Sequence, residues 1–203
     1  MMADHSPTPF SRSVVMAITA AELSDREEIR QAMYKFFRAT DRRDKELARS
    51  VFWEDGHCES GESRWMPSNL GDFGTRFERD FEATIHYMMN MIFQMKGDVA
   101  FVETYAIAYH LLSTRPEDVL DVVGPTRFAQ LDVSKQHEWW MGLRYNSRFE
   151  KRDGTWRIKI HRYIPEWTKV VPYEGNAGGE GYLQFIPLRA LRGREDASYE
   201  WFD

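Results

Sequence analysis

Apolar residues recur every three or four positions early in the chain, then every second position through its middle. The stretch from Ser24 to Asp41 sets Ile29, Met33, Phe36, Phe37 and Thr40 on one side of a helix. Ser24 and Glu27 have capping-box spacing, so the helix is predicted to start there and to close at Asp41. A second short helix is expected from Asp44, with Leu47, Val51 and Phe52 turned inward. Residues 54–61 read as a turn and a short strand. Ser68 stands where it can cap a third helix reaching about Phe81, although two glycines in that stretch weigh against it.

The two-residue period marks strands at 84–95, 99–112, 138–152 and 155–167. The first pair is joined by a turn at 96–98, and the second by Asp153-Gly154, a strong hairpin signal. Residues 113–136 form a longer, proline-containing insertion. Helices followed by long antiparallel strands predict an α+β fold, with three N-terminal helices on one face of a curved sheet. Such a bent sheet makes a cone whose mouth can hold a pocket. A mobile tail is expected over 1–20, one domain over 21–173 and a surface or partner-directed extension over 174–203.

Composition narrows the function classes. The 203 residues suit one domain, and 13 Phe, 9 Tyr, 7 Trp and 10 Met suit either an ordinary core or an apolar cavity. A net charge of −5 without a basic stripe argues against nucleic acid as a partner. No apolar run reaches the roughly 18–20 residues of a membrane span. One cysteine, Cys58, permits no internal disulfide and suits a reducing compartment, so a cytoplasmic setting is expected. The segment 14–21 is short for a signal sequence and runs straight into a helix. No HExxH, CxxC, GxSxG or nucleotide-binding glycine pattern is present, so neither a metal nor a cofactor is expected.

The candidate chemistry centres on histidines in strands. Alternation in the 84–94 strand places Thr84, His86, Met88, Asn90 and Ile92 on one face, with apolar residues opposite. The strand is therefore expected to be covered on both sides, and His86 to be buried or pocket-lining. It is either a core histidine satisfied by a nearby polar group or a general base. Asp41 ends a helix, where the macrodipole disfavours an anion. Either the DRRD stretch is a charged turn with Arg42 and Arg43 in solvent, or Asp41 accepts the ring N–H of His86 and fixes its tautomer. His110 shares a face with the small residues Thr104, Ala106 and Ala108, as a pocket wall or a rim residue. Arg162 lies on an apolar strand face, paired or aimed at an anion, and His161 faces the other way unless a bulge exchanges them.

The ordered motifs DREEIRQAMYKFFRATDRRDKELARSVFWEDG, TIHYMMN, AFVETYAIAYH and RYNSRFEKRDGTWRIKIHRYIPEW resemble the SnoaL-like branch of the nuclear transport factor 2 superfamily over about residues 22–170. That branch is similar in kind to scytalone dehydratase and hexachlorocyclohexane dehydrochlorinase. The resemblance implies a cone-shaped α+β barrel, a homodimer or homotrimer, and a catalytic pair at Asp41 and His86. It places further substrate-binding or polarising groups at His110 and at His161 or Arg162. Several relatives carry Tyr or Lys five residues before the aspartate; Phe36 stands there in this chain, with Tyr34 and Lys35 nearby on other helix faces. Asn90 shares the predicted His86 face. The expected activity is a cofactor-independent, dehydratase-like lyase acting on a small, cyclic, mostly apolar substrate. The alternatives are an isomerase or polyketide cyclase using the same pocket, and a non-catalytic ligand-binding or accessory subunit.

Overall fold

The structure, a computed structural model, describes residues 17–65, 77–175, 181, 185 and 190–202. Helix α1 spans Ala20–Arg42. It starts one turn before the predicted capping box because Thr19 is the cap: its side chain accepts the Glu22 N–H at 3.1 Å. Ala20 and Ala21 then extend the helix at little entropic cost, leaving Ser24 inside it. Ile29, Met33, Phe36 and Phe37 are buried, as their spacing predicts. Helix α2, Lys45–Ser50, is capped by Asp44, whose side chain accepts the Leu47 N–H at 2.9 Å.

Where a turn and a short strand are predicted over 54–61, the chain forms one strand, β1 (Phe52–Ser60), which also takes Phe52 from the predicted second helix, followed by β2 (Ser63–Trp65). Most of the predicted third helix lies outside the described residues; residues 77–80 are helical. Strands β3 (Phe81–Lys96), β4 (Val99–Leu112), β5 (His137–Arg152) and β6 (Thr155–Pro172) follow the predicted order. Both residues of the Asp153-Gly154 turn have positive φ, 50° and 81°, as a two-residue hairpin of this kind requires. The insertion between β4 and β5 contains two short helices, α3 (Pro116–Val123) and α4 (Pro125–Phe128).

The strands form one open sheet in the order β2-β1-β6-β5-β4-β3. Only β1 and β6 run parallel; the other neighbours are antiparallel. The fold is α+β, with a curved, unclosed, mixed sheet. The main core lies between α1 and the inner sheet face, where Met33, Phe36 and Phe37 meet Val102, Tyr145, Phe149 and Trp156.

One expectation about β3 fails. Its outer face is not covered in the single chain: Ile85, Tyr87, Met89 and Ile92 are all exposed. Its inner face also changes parity. Met88 pairs with Ala106 but Met91 with Thr104, so β3 carries one extra residue there. Beyond this β-bulge, Met91, Phe93 and Met95 face the core. Asn90 and Ile92, predicted to share the His86 face, are turned to solvent.

Candidate functional site

The end of α1 meets the start of β3. Arg43, the C-cap, takes a left-handed conformation (φ 57°) and returns its N–H to the Ala39 and Thr40 carbonyls. Its guanidinium donates to the Phe81 carbonyl at 2.7 Å, tying the helix end to β3. It is therefore not the solvated charge that one reading of the DRRD stretch allows. This turn directs Asp41 toward β3.

The Asp41 carboxylate accepts three hydrogen bonds from that strand. His86 Nδ1–H donates to Oδ1 at 2.7 Å, the His86 backbone N–H to Oδ2 at 3.0 Å, and the Thr84 hydroxyl to Oδ1 at 3.1 Å. The side chains of His86 and Asp41 are 7 and 13% exposed, so the pair is shielded from bulk water. Three donors stabilise a carboxylate that the helix macrodipole alone would destabilise. Because a carboxylate can only accept, the neutral His86 ring carries its proton on Nδ1, and Nε2 keeps its lone pair.

His86 lines a cavity of about 380 Å³, within the range of small-molecule sites. Phe36, Phe37, Phe81, Trp139, Met141 and Leu143 supply its apolar wall. Ala108 of β4 also lines it, while Thr104 and Ala106, expected to share that wall, do not. Arg43, Asp44, Lys45, Glu78, Asp80 and Asp121 add charge along the same cavity. Asp121 and Val122 of α3 reach it from the insertion. Arg79 secures α3 there, donating to Asp121 at 2.9 Å and lying 3.3 Å from Asp118.

His110 is also in this wall, its ring centroid 5.6 Å from that of His86. Burial, together with the nearby His86, lowers its pKa to about 3, so it is neutral near pH 7. Its Nδ1 lies 3.3 Å from the Trp139 carbonyl, which can only accept, so Nδ1 bears the hydrogen. Nε2 is thus an acceptor suited to a hydroxyl and poorly suited to an oxyanion. Tyr145 lines the cavity beside Phe37, with ring centroids 5.3 Å apart. Burial, then the Asp41 charge, raises its pKa well above the ordinary phenol value, so it remains a protonated donor.

The other candidates separate. His161 is fully buried behind the cavity wall, stacked on Tyr145 at 4.8 Å and 4.8 Å from Phe36. Its Nδ1 is 2.8 Å from the Ser147 hydroxyl, and burial lowers its pKa to about 3. Arg162 takes the opposite face of β6 and binds Glu59, Nε to Oε1, at 2.6 Å. It is absent from the cavity wall because β6 carries an extra residue between Ile158 and Ile160. This bulge puts His161 on the buried side with Trp156 and Ile158 and turns Arg162, expected on that apolar face, to the other. Tyr34 is 45% exposed on the outer side of α1. Asn90 is removed by the β3 bulge. Phe36 contributes apolar wall, with no polar atom to offer a substrate. Among the described residues no group of three His, Cys, Asp or Glu side chains could hold a metal ion, and no helix is long and apolar enough to cross a membrane.

Sequence reasoning passed over Tyr145, Thr84 and Arg43. The alternation Leu143, Tyr145, Ser147, Phe149 does mark Tyr145 as inward-facing, since all four are buried. No local pattern marks Arg43, whose role depends on a carbonyl 38 positions away.

The sequence profile of the SnoaL-like domain matches residues 21–162, well over half of the chain. The chain belongs to this family. SnoaL-like domains fall within the nuclear transport factor 2 superfamily, and the solved structures agree with that fold. A hexachlorocyclohexane dehydrochlorinase, LinA type 2, superposes with a TM-score of 0.61 at 16% identity, covering 76% of this chain and 94% of its own. LinA type 3 from Novosphingobium barchaimii gives 0.60 at 17% identity, with coverages of 76 and 93%. A provisionally assigned scytalone dehydratase from Novosphingobium aromaticivorans gives 0.57 at 16%, with coverages of 76 and 91%. No curated protein sequence matches the chain. At these identities the neighbours establish the fold of this SnoaL-like protein.

Proposed function

We propose that the protein is a dehydratase-like lyase that needs only proton transfer, with His86 as general acid/base and Asp41 as the group that orients it. The 2.7 Å contact between His86 Nδ1 and Asp41, at the wall of a largely apolar cavity, carries this reading. Membership of the SnoaL-like family supports it at the level of cofactor-free lyase or isomerase chemistry.

The proposed substrate is a small, cyclic, mostly apolar molecule bearing a hydroxyl. His86 Nε2 removes a proton from the carbon next to an electron-withdrawing group, and Asp41 stabilises the imidazolium that forms. The neighbouring C–O bond breaks, and the departing oxygen takes a proton from the imidazolium to leave as water. Carbon thus loses one hydrogen and one hydroxyl and gains a double bond. Before the bond breaks, the hydroxyl donates to His110 Nε2. Tyr145, still protonated, donates to the oxygen on which negative charge develops. The single cysteine is buried and its thiol is pushed up to about 12 by burial, so it is not a nucleophile in this scheme. A cytoplasmic setting is proposed from the cysteine count alone.

The test is His86→Ala beside Asp41→Asn, assayed on a compound found by screening cyclic alcohols. Each variant should lower kcat about 10²–10⁴-fold, the range of general acid–base catalysis. Asp41→Asn is informative because it keeps the side-chain size and removes the charge. Undiminished turnover in His86→Ala overturns the assignment.

A further inference from the structure

The C-terminal stretch 190–202 lies outside the family match and returns to the end of α1. The Gly193 N–H donates to the Arg42 carbonyl at 2.7 Å. Asp196 accepts the Leu191 N–H at 2.9 Å and lies 3.4 Å from Arg42 Nε. The Tyr199 hydroxyl donates to Asp44 at 2.8 Å, and Arg38 lies over the rings of Tyr199 and Phe202 at 4.5 and 5.2 Å. These contacts seat the segment on α1 and α2.

From that seat Arg192 reaches between α1 and β3. Its Nη1 donates to the Asp41 carbonyl at 2.7 Å and to the Thr84 carbonyl at 3.1 Å, and its Nε to the Glu82 carbonyl at 3.4 Å. The last carbonyls of a helix have no partner within it, and a cation there offsets the negative end of the dipole. The planar guanidinium can serve both elements at once. Arg192 holds this place against a cost, since burial and then the Arg42 cation lower its pKa from the ordinary guanidinium value.

We propose that Arg192 is a positioning residue, holding the end of α1 against β3 so that the Asp41 carboxylate stays on His86 Nδ1. Two backbone carbonyls, of Asp41 and Thr84, are fixed by one side chain. The same two residues meet again through the Thr84 hydroxyl and the Asp41 carboxylate. The consequence for catalysis rests on the reading of His86 as base; the consequence for the His86 tautomer does not.

The experiment labels the histidines of the full chain with ¹⁵N and records the ring tautomer of His86 by two-bond ¹H–¹⁵N spectra. In the wild type His86 is the Nδ1–H form. In Arg192→Ala the Nε2–H form should appear beside it, or the Nδ1–H signal should broaden by exchange. Arg192→Lys, which keeps the charge on a single donor nitrogen but loses the planar fork, should restore the wild-type spectrum only in part. With a screened substrate, kcat should fall about tenfold or more, as misplacement of a reacting group does, while KM changes less than about twofold. Arg194→Ala is the control. It belongs to the same segment, is itself exposed, and lies 3.6 Å from Asp44 rather than on the α1–β3 carbonyls, so it should leave His86 unchanged. If Arg192→Ala does not fold, Arg192→Gln is read in its place.

A folded Arg192 variant with a wild-type His86 spectrum overturns the proposal. So does an Arg194→Ala spectrum that changes equally, because the effect would then be general loosening. Failure of the base reading looks different: His86→Ala keeps its turnover while the Arg192 variants still alter the tautomer.

Discussion

A histidine with one ring nitrogen committed to a carboxylate has its proton chemistry left at the other, and this is the condition of His86. No carboxylate is among the groups that act on His110 and His161. Burial holds both near pKa 3 against about 6.5 for an exposed ring. The sign follows from proton counting. Between these values the unfolded chain binds a proton on each ring that the native protein refuses, so acid favours unfolding. The stabilisation is complete above about pH 6.5 and is lost as pH falls toward 3, at a limiting slope of about 1.4 kcal/mol per pH unit for each histidine. Urea denaturation between pH 7 and 4 should show this decline, and His161→Phe should remove one histidine's share. An unchanged slope in that variant would falsify the assignment of acid sensitivity to His161. The burial of His86 was legible from strand alternation, whereas that of His161 was not, because a bulge in β6 reverses the alternation just before it. Whether a carboxylate meets the ring is a contact between residues far apart in the chain.

At the scale of elements, period and turn chemistry account for most of what was readable. The β4 boundaries match the two-residue period because strict alternation from Val99 to Leu112 tolerates one register against a buried face. Bulges escape that logic, since one extra residue costs little locally and reverses every side chain after it. Asn90 and Arg162 were misplaced for this reason, by bulges in β3 and β6, and β1 holds a further case. Its pairing with β6 slips between Phe52 and His57, and Gly56 sits inside the slip. A Cβ on Gly56 would meet the backbone oxygens of Ile158 at 2.7 Å and Trp53 at 2.9 Å, neither of which can rotate away. Gly56→Ala should therefore cost about 1–3 kcal/mol in chemical denaturation, the range for overpacking. An unaltered midpoint would show that β1 re-registers without penalty.

At the scale of the whole molecule, the hollow is the feature that the proposed function needs. Large aromatics of α1 and β5 line it together with the small Ala108 of β4. Ala108 is 1% exposed and lines that space. Ala108→Leu should keep the fold, since it adds apolar volume to an apolar void. It should also weaken the affinity for any cyclic apolar compound that binds the wild type by about tenfold or more, as measured by titration calorimetry. Equal affinity in the variant would place the ligand elsewhere. The sequence by itself determined the order of elements, the inward faces of most strands and the identity of the two residues worth pairing, because these depend on neighbours a few positions apart. Only the tertiary structure decided that Asp41 touches His86, that Arg162 faces away from the cavity, and that Arg192 reaches the same helix end from the far end of the chain. Those outcomes depend on sheet register, bulges and chain return, where small local differences in energy are settled by packing over the whole domain.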